Sequence, residues 1–321
     1  MERLLGGAMG SAVVGDWLAQ LVEQEVLVVN PATRFAGQRE YTFRHALLRE
    51  GAYATLTEDD QRLGHRLAGD WLERGGETDP MVLAGHFERG GERARAASHY
   101  LRAAEQAFHI LDLDATMARA SLGLDCAPPP ELRIALLGLR CEASGYGLQS
   151  ITRTMADAEE LMRSAPRGSI PWAQGIYAHN EVAMLAGRIP DVLAAIALLR
   201  DVEPAPEAIS RMALAFLVAI CIVDVLGRVP EGSALADRFA AVVRSTGEAE
   251  PLARFWWNIT GAMRASYAHE DPWTALHHSD AVEAIYDVIG GEIIFLNMQL
   301  FRGLNLWYLG ALAPAQLLLE S

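Results

Sequence analysis

The sequence predicts an all-α protein, an array of helical hairpins preceded by a small module that carries one β-hairpin. Three observations predict it. Apolar residues make up 51% of the 321 positions, they recur at helical spacing rather than in alternating runs, and turn signals return at a nearly constant interval through the second half. The length exceeds that of one ordinary domain and suits several, or a repeat array.

The elements follow in order. Asp16 is placed to cap the helix WLAQLVEQEVL, whose Trp17, Leu18, Leu21, Val22 and Val26 form one apolar face. Leu27 to Val29 is extended and stops at Asn30-Pro31. With Gly37 in the turn and Tyr41-Thr42-Phe43 as the return strand, this pair reads as a hairpin. Helical spacing resumes at His45, with Leu47, Leu48, Ala52, Tyr53 and Leu56 on one side. Thr57 caps the next helix, Asp59 and Asp60 load its first turn with negative charge, and it ends near Arg74 at Gly75-Gly76.

Leu83 to Ala107 then reads as helix, a turn at Gly90-Gly91, and an Ala-rich helix in which Ala94, Ala97 and Ala104 allow close approach. Turn signals follow at Gly147, Gly187, Gly227, His269 and Gly310, separated by 40, 40, 42 and 41 residues. Two copies share Gly-Arg-hydrophobic-Pro, Gly187 to Pro190 and Gly227 to Pro230, where Gly ends one helix and Pro opens the next. Pro128-Pro129-Pro130 breaks the array, and Pro204 and Pro206 separate two later units. The expected divisions are 1–57, 58–127 and 128–321, with the array continuing beyond its last hairpin.

FRHALLREGAY, Phe43 to Tyr53, resembles the winged-helix signature of STAND-type signalling ATPases, and Leu83 to Ala107 resembles a tetratricopeptide hairpin. Together they cover roughly Leu21 to Leu124 and are similar to the segment joining ATPase and repeats in large bacterial serine/threonine kinase, ATPase and cyclase fusions. The resemblance implies a partial winged helix followed by a tetratricopeptide-like right-handed superhelix. It also implies that His45 occupies the position of a residue that contacts ADP on a neighbouring nucleotide domain, although Ala46 stands where the family has aspartate.

That nucleotide domain is not in this sequence. All 27 basic residues are Arg, so no P-loop, kinase or Schiff-base lysine exists, and the chain alone is expected to bind neither ATP nor ADP. No Gly-x-Ser-x-Gly elbow is present, and His269-Glu270-Asp271 lacks a zincin's second His. Neither an enzyme nor a cofactor is expected, an unrecognised enzyme with a deep pocket being one alternative. His277-His278, near Asp271 and Asp280, lacks metal-ligand spacing and is expected on the helix surface.

A net charge of −14 disfavours nucleic acid and anionic membranes. The other alternative, a winged helix that reads DNA, needs a basic recognition helix, yet Asp16 to Glu25 holds acids only; Arg34, Arg39 and Arg44 flank the hairpin. Cys126, Cys141 and Cys221 form no CxxC pair, Cys221 lies in an apolar helix where a thiol is inert, and no export signal follows Met1, which suits the cytoplasm. The apolar run Met212 to Val223 spans 12 residues, short of the roughly 20 a membrane helix needs. It is expected to be a core helix.

Aromatic residues gather in the last third at Phe255, Trp256, Trp257, Tyr267, Trp273, Trp307 and Tyr308. Interhelical packing explains them, or else Trp256, Trp257, Tyr267 and Trp273 line the concave face of the array and anchor a protein or peptide partner. Adjacent Trp256 and Trp257 point to different sides of a helix, so at least one is expected to be exposed. The function expected is that of a non-catalytic sensor and protein-interaction region in a signalling ATPase.

Overall fold

A computed structural model describes residues 11–33, 35, 37–147, 150–246, 250–289 and 292–320. Among the described residues 77% are helical, in 16 α-helices, with one two-stranded sheet, an all-α repeat fold with a single β-hairpin. Two compact units form, Met1–Arg133 and Ile134–Ser321. Their boundary falls inside one helix, and the expected segments 1–57 and 58–127 both lie within the range of the first unit.

In the first unit, α1 (Ser11–Glu23) leads into β1 (Leu27–Val29), which pairs antiparallel with β2 (Tyr41–Phe43) in the register Leu27 to Phe43. Val14, Leu18 and Leu27 are buried, with Leu21, Val22, Val26 and Tyr41 packed around them. Two expectations change. Asp16 lies inside α1 rather than capping it, and Trp17 stands in solvent because the apolar stripe is centred between Leu18 and Leu21. Gly37 takes the positive φ of 73° that its turn requires.

The next helix, α2 (Ala46–Ala54), buries none of its residues. Leu47 is 80% exposed, and Leu48, Tyr53 and Leu56 are also exposed, so the apolar side read from the sequence faces no core. Hydrogen bonds tie α2 to α3 (Glu58–Arg74). The Tyr53 hydroxyl lies 2.9 Å from His65 Nε2, and Gln61 donates to the carbonyls of Tyr53 and Leu56. Thr57 caps α3 by accepting from Asp60 N at 3.2 Å, and Gly76 follows its end at φ 85°.

Beyond it stand α4 (Pro80–Arg89), α5 (Arg93–His109) and α6 (Leu113–Asp125), packed in chain order. Their core holds Leu83, Phe87, Ala96, Ala97 and Tyr100. Ala94 is exposed, and Ala96 takes its place at the close approach. A Cβ on Gly69 of α3 would come within 2.8 Å of the Phe87 ring, so only glycine fits there. Arg95 lies 3.7 Å above that ring and pairs with Asp70 and Glu73, both at 2.8 Å.

The prolines 128–130 separate α6 from α7 (Pro130–Gly147), where the second unit begins. It continues through α8 (Ile151–Ser164), α9 (Ile170–Leu185), α10 (Ile189–Ala197), α11 (Ile209–Val225), α12 (Val229–Thr246), α13 (Pro251–Tyr267), α14 (Pro272–Ile289), α15 (Glu292–Tyr308) and α16 (Leu312–Glu320). A short 3-10 turn, Pro206–Ala208, precedes α11. The first helices of successive hairpins, α9, α11 and α13, pack side by side, each also paired with the helix that follows it.

One turn geometry recurs at several helix ends. At the end of α9, Gly187 N donates to Met184 O and Arg188 N to Ala183 O; at the end of α11, Gly227 and Arg228 repeat this on Asp224 and Val223. α15 ends the same way at Gly310 and Ala311, and α4 at Gly91 and Glu92. These pairs of bonds satisfy carbonyls left open at a helix end and need a residue with positive φ just past it. Gly187, Gly227 and Gly310 supply it at 69°, 75° and 76°. At the fourth site the sequence points to His269, but Glu270 takes the positive φ of 53°. The chain end of α13 is wound differently, with His269 N on Arg264 O.

α11 is the buried centre of this unit, with Met212, Phe216 and Ile220 fully enclosed between α9, α12 and α13. The stretch Pro206–Val225 reaches 20 residues at a mean hydropathy of 2.2, which by length and composition is enough to cross a membrane. Length therefore does not separate it from a membrane span as the shorter run suggested; its packing makes it a core helix.

Candidate functional site

His45 immediately precedes α2, where its backbone is extended and its side chain makes no capping hydrogen bond. Its carbonyl accepts from the amides of Leu48 and Arg49. The imidazole is exposed. Of the hairpin arginines, Arg44 pairs with Glu25 at 3.1 Å, Arg39 is exposed and lines a cavity, and Arg34 lies outside the described residues.

The four aromatic residues named as partner anchors divide. Trp256 is 8% exposed and stacks edge-on against Phe255, with centroids 5.0 Å apart, so it is a core residue. Trp257 is half-buried with its edge toward Phe239 at 5.4 Å. The expectation that one of this pair stands in solvent fails because α13 is enclosed by α11, α12, α14 and α15. Tyr267 and Trp273 are exposed, the latter by 72%, on either side of the turn between α13 and α14.

Tyr267 belongs to a series that the sequence reading missed. It is the last residue of α13, as Leu185 is of α9, Val225 of α11 and Tyr308 of α15. All four are large and apolar, and all four are exposed, by 55% at Leu185, 72% at Val225, 50% at Tyr267 and 54% at Tyr308. Leu185, Val225 and Tyr308 stand just before the recurring glycine turn, and Tyr267 stands before the differently wound end of α13. Because α9, α11 and α13 pack side by side, the helix ends that carry Leu185, Val225 and Tyr267 succeed one another at the spacing of packed helices, about 8–10 Å, a ladder of helix-end residues to which Tyr308 of α15 adds a fourth in sequence. Burial raises the pKa of the Tyr267 hydroxyl, and Tyr308 raises it further. The signal was the residue two before each turn position, Gly187, Gly227, His269 and Gly310, read across repeats.

The interior of this unit holds polar groups in pairs. Arg140 of α7 grips Asp157 of α8 through two hydrogen bonds of 2.7 Å. Glu142, almost fully buried, accepts from Gln174 Nε2 at 2.6 Å and from Arg211, joining α7, α9 and α11. Burial raises its carboxyl, and Arg211 opposes that rise. Arg264 donates to Asp224 at 2.8 Å and to Ser233 at 2.9 Å. Glu181 differs: burial pushes its carboxyl up to about 7, and its Oε2 has no hydrogen-bond partner among the described residues. Its chain neighbours His179 and Asn180 also carry unpartnered buried atoms. Consecutive helical residues diverge by about 100°, so the three do not face one point.

Little else resembles a reactive centre. Burial raises the thiols of Cys126 and Cys141 and takes Cys221 to about 12, which makes thiolate chemistry unfavourable at all three. His277 is exposed as expected, but His278 is half-buried with Nδ1 3.0 Å from Asn258 Oδ1, and burial lowers its pKa. Among the described residues no group of three His, Cys, Asp or Glu is placed to hold a metal. Comparison of the chain with protein families, with curated proteins and with solved structures finds no match.

Proposed function

We propose that this chain is the sensor and protein-interaction region of a cytoplasmic STAND-type signalling ATPase, without catalytic activity of its own. The observation that carries the reading is the ladder of Leu185, Val225, Tyr267 and Tyr308. Large apolar side chains repeated at one position of a repeat array offer regularly spaced anchors, the usual currency of recognition on such surfaces. The matching partner is a protein segment with apolar residues about 10 Å apart, which an α-helix provides at every seventh residue.

The first unit serves as the joint. Its α2 exposes an apolar side with Leu47, Leu48 and Tyr53, and His45 stands exposed at its start without a capping hydrogen bond from its side chain. Covering by a nucleotide domain supplied from elsewhere would bury that side and bring His45 toward bound ADP. A partner on the ladder would then act by favouring one arrangement of joint and nucleotide domain over another. Three free cysteines support a reducing compartment.

Selection of a random peptide library against the chain tests the proposal. Enriched peptides should carry apolar residues at heptad spacing and lose at least tenfold in affinity on the V225D/Y267D double variant. No enrichment, or equal affinity for that variant, would sink it.

A further inference from the structure

Within the first unit, a cavity of about 530 Å³ opens between the hairpin module and α3. Leu18, Leu27 and Tyr41 line one side, Leu67 and Trp71 the other. Phe35 also lines it, its ring edge-on to Trp71 with centroids 4.8 Å apart. The two sides belong to separate cores, one around Leu18 and Leu27, the other around Leu83 and Phe87, with Leu72 of α3 packed against the latter. Neither core fills the space between them. Protein interiors are packed to crystal density and leave few voids larger than a water, whereas pockets for small organic ligands span about 300–1,000 Å³ with mostly apolar walls and few polar groups.

The polar lining comes from one stretch of chain, Thr33, Gln38, Arg39 and Glu40. Two of these are already engaged. Thr33 Oγ1 accepts from Phe35 N at 3.1 Å, and Glu40 accepts from Asn30 Nδ2 at 2.8 Å. Arg39 is exposed and has no hydrogen bond or ion pair from its side chain to any described residue. Among the described residues the uncommitted charge in the lining of this aromatic and aliphatic cavity is therefore a guanidinium, whose planar fork matches a carboxylate with two parallel N–H donors.

We infer that this cavity binds an amphipathic carboxylate, its apolar body against Leu18, Leu67 and Trp71 and its carboxylate on Arg39. This site is separate from the ladder and needs no protein partner. It places a small-molecule input on the joint itself. A ligand here touches β2 and α3, the two elements on either side of α2, and bridges two cores that otherwise leave a gap.

The test is isothermal titration of the full chain with decanoate and with the neutral analogue decanol. Decanoate should bind saturably and more tightly than decanol. Arg39→Ala should weaken decanoate about tenfold, the worth of a charged hydrogen bond, and leave decanol within twofold. Ala68→Phe, which fills the α3 wall, should weaken both about tenfold while circular dichroism shows the same helix content and melting transition. Absence of saturable decanoate binding would overturn the site, as would an unchanged decanoate affinity in Arg39→Ala or in a folded Ala68→Phe. Because Arg39 is exposed, its substitution leaves the fold intact and decides the matter even where Ala68→Phe does not fold.

Discussion

Glu181 occupies the last turns of α9, half-buried in the second unit with its Oε2 out of water, and burial raises its carboxyl to about 7. The Tyr177 hydroxyl one turn earlier favours the ionised form but does not offset the loss of water. An acid whose folded pKa lies above its unfolded value contributes its full share of stability below the unfolded pKa. That share is lost as pH rises through the folded pKa, because the unfolded chain releases its proton first. From 4.5 in the unfolded chain to about 7 in the folded one, the loss amounts to about 3 kcal/mol, most of it between pH 5 and pH 8. Glu181→Gln keeps the shape and removes the ionisation. Its unfolding free energy, measured by urea titration at pH 5, 6, 7 and 8, should fall less with pH than that of the parent. The gap between the two should widen to about 3 kcal/mol in favour of the variant at pH 8. All other titrating groups are common to both proteins and cancel in the difference. Parallel pH profiles, or a variant less stable at pH 8, would refute the claim that the ionised carboxylate is unfavourably buried.

Two further outcomes follow from the packing. Gly227→Ala meets no atom within 4 Å of its new Cβ, yet it forces alanine into a positive φ, so it should cost about 1–2 kcal/mol in thermal unfolding; a neutral effect would mean the turn tolerates another conformation. Arg140→Ala leaves the Asp157 carboxylate buried and unpaired and should cost about 3–5 kcal/mol, whereas Arg140→Met with Asp157→Leu should cost far less; equal costs would show that packing rather than charge dominates at that site.

Much of the fold was legible because punctuation is local. Asn30-Pro31 and Gly37 bound the two strands, Thr57 with Asp60 marks the start of α3, and the paired glycines 75–76 and 90–91 mark helix ends. The 40-residue turn interval made the repeats visible, since the turns after α9, α11 and α15 each use a glycine with positive φ, whereas Gly147 still lies within α7. Glu270 escaped because a non-glycine residue fills that role where α13 ends differently. Trp256 was misassigned because helical spacing places side chains around one axis without saying which neighbours surround it; α13 has packed helices on both sides. The exposed α2 was misread for the converse reason, since an amphipathic pattern needs a second surface before it becomes a core. The ladder was overlooked because a Leu, Val or Tyr at a helix end looks ordinary singly and becomes informative only when four repeats are aligned. The cavity lies between cores distant in sequence, where no local pattern reports an unfilled space.

The ladder is the centre of the account, and amide hydrogen exchange reads it most directly. With a library-selected peptide bound, exchange should slow in the turns around Leu185, Val225 and Tyr267 together, and not in α2 or the hairpin module. Protection confined to one turn, or protection of the first unit with these turns unchanged, would contradict it.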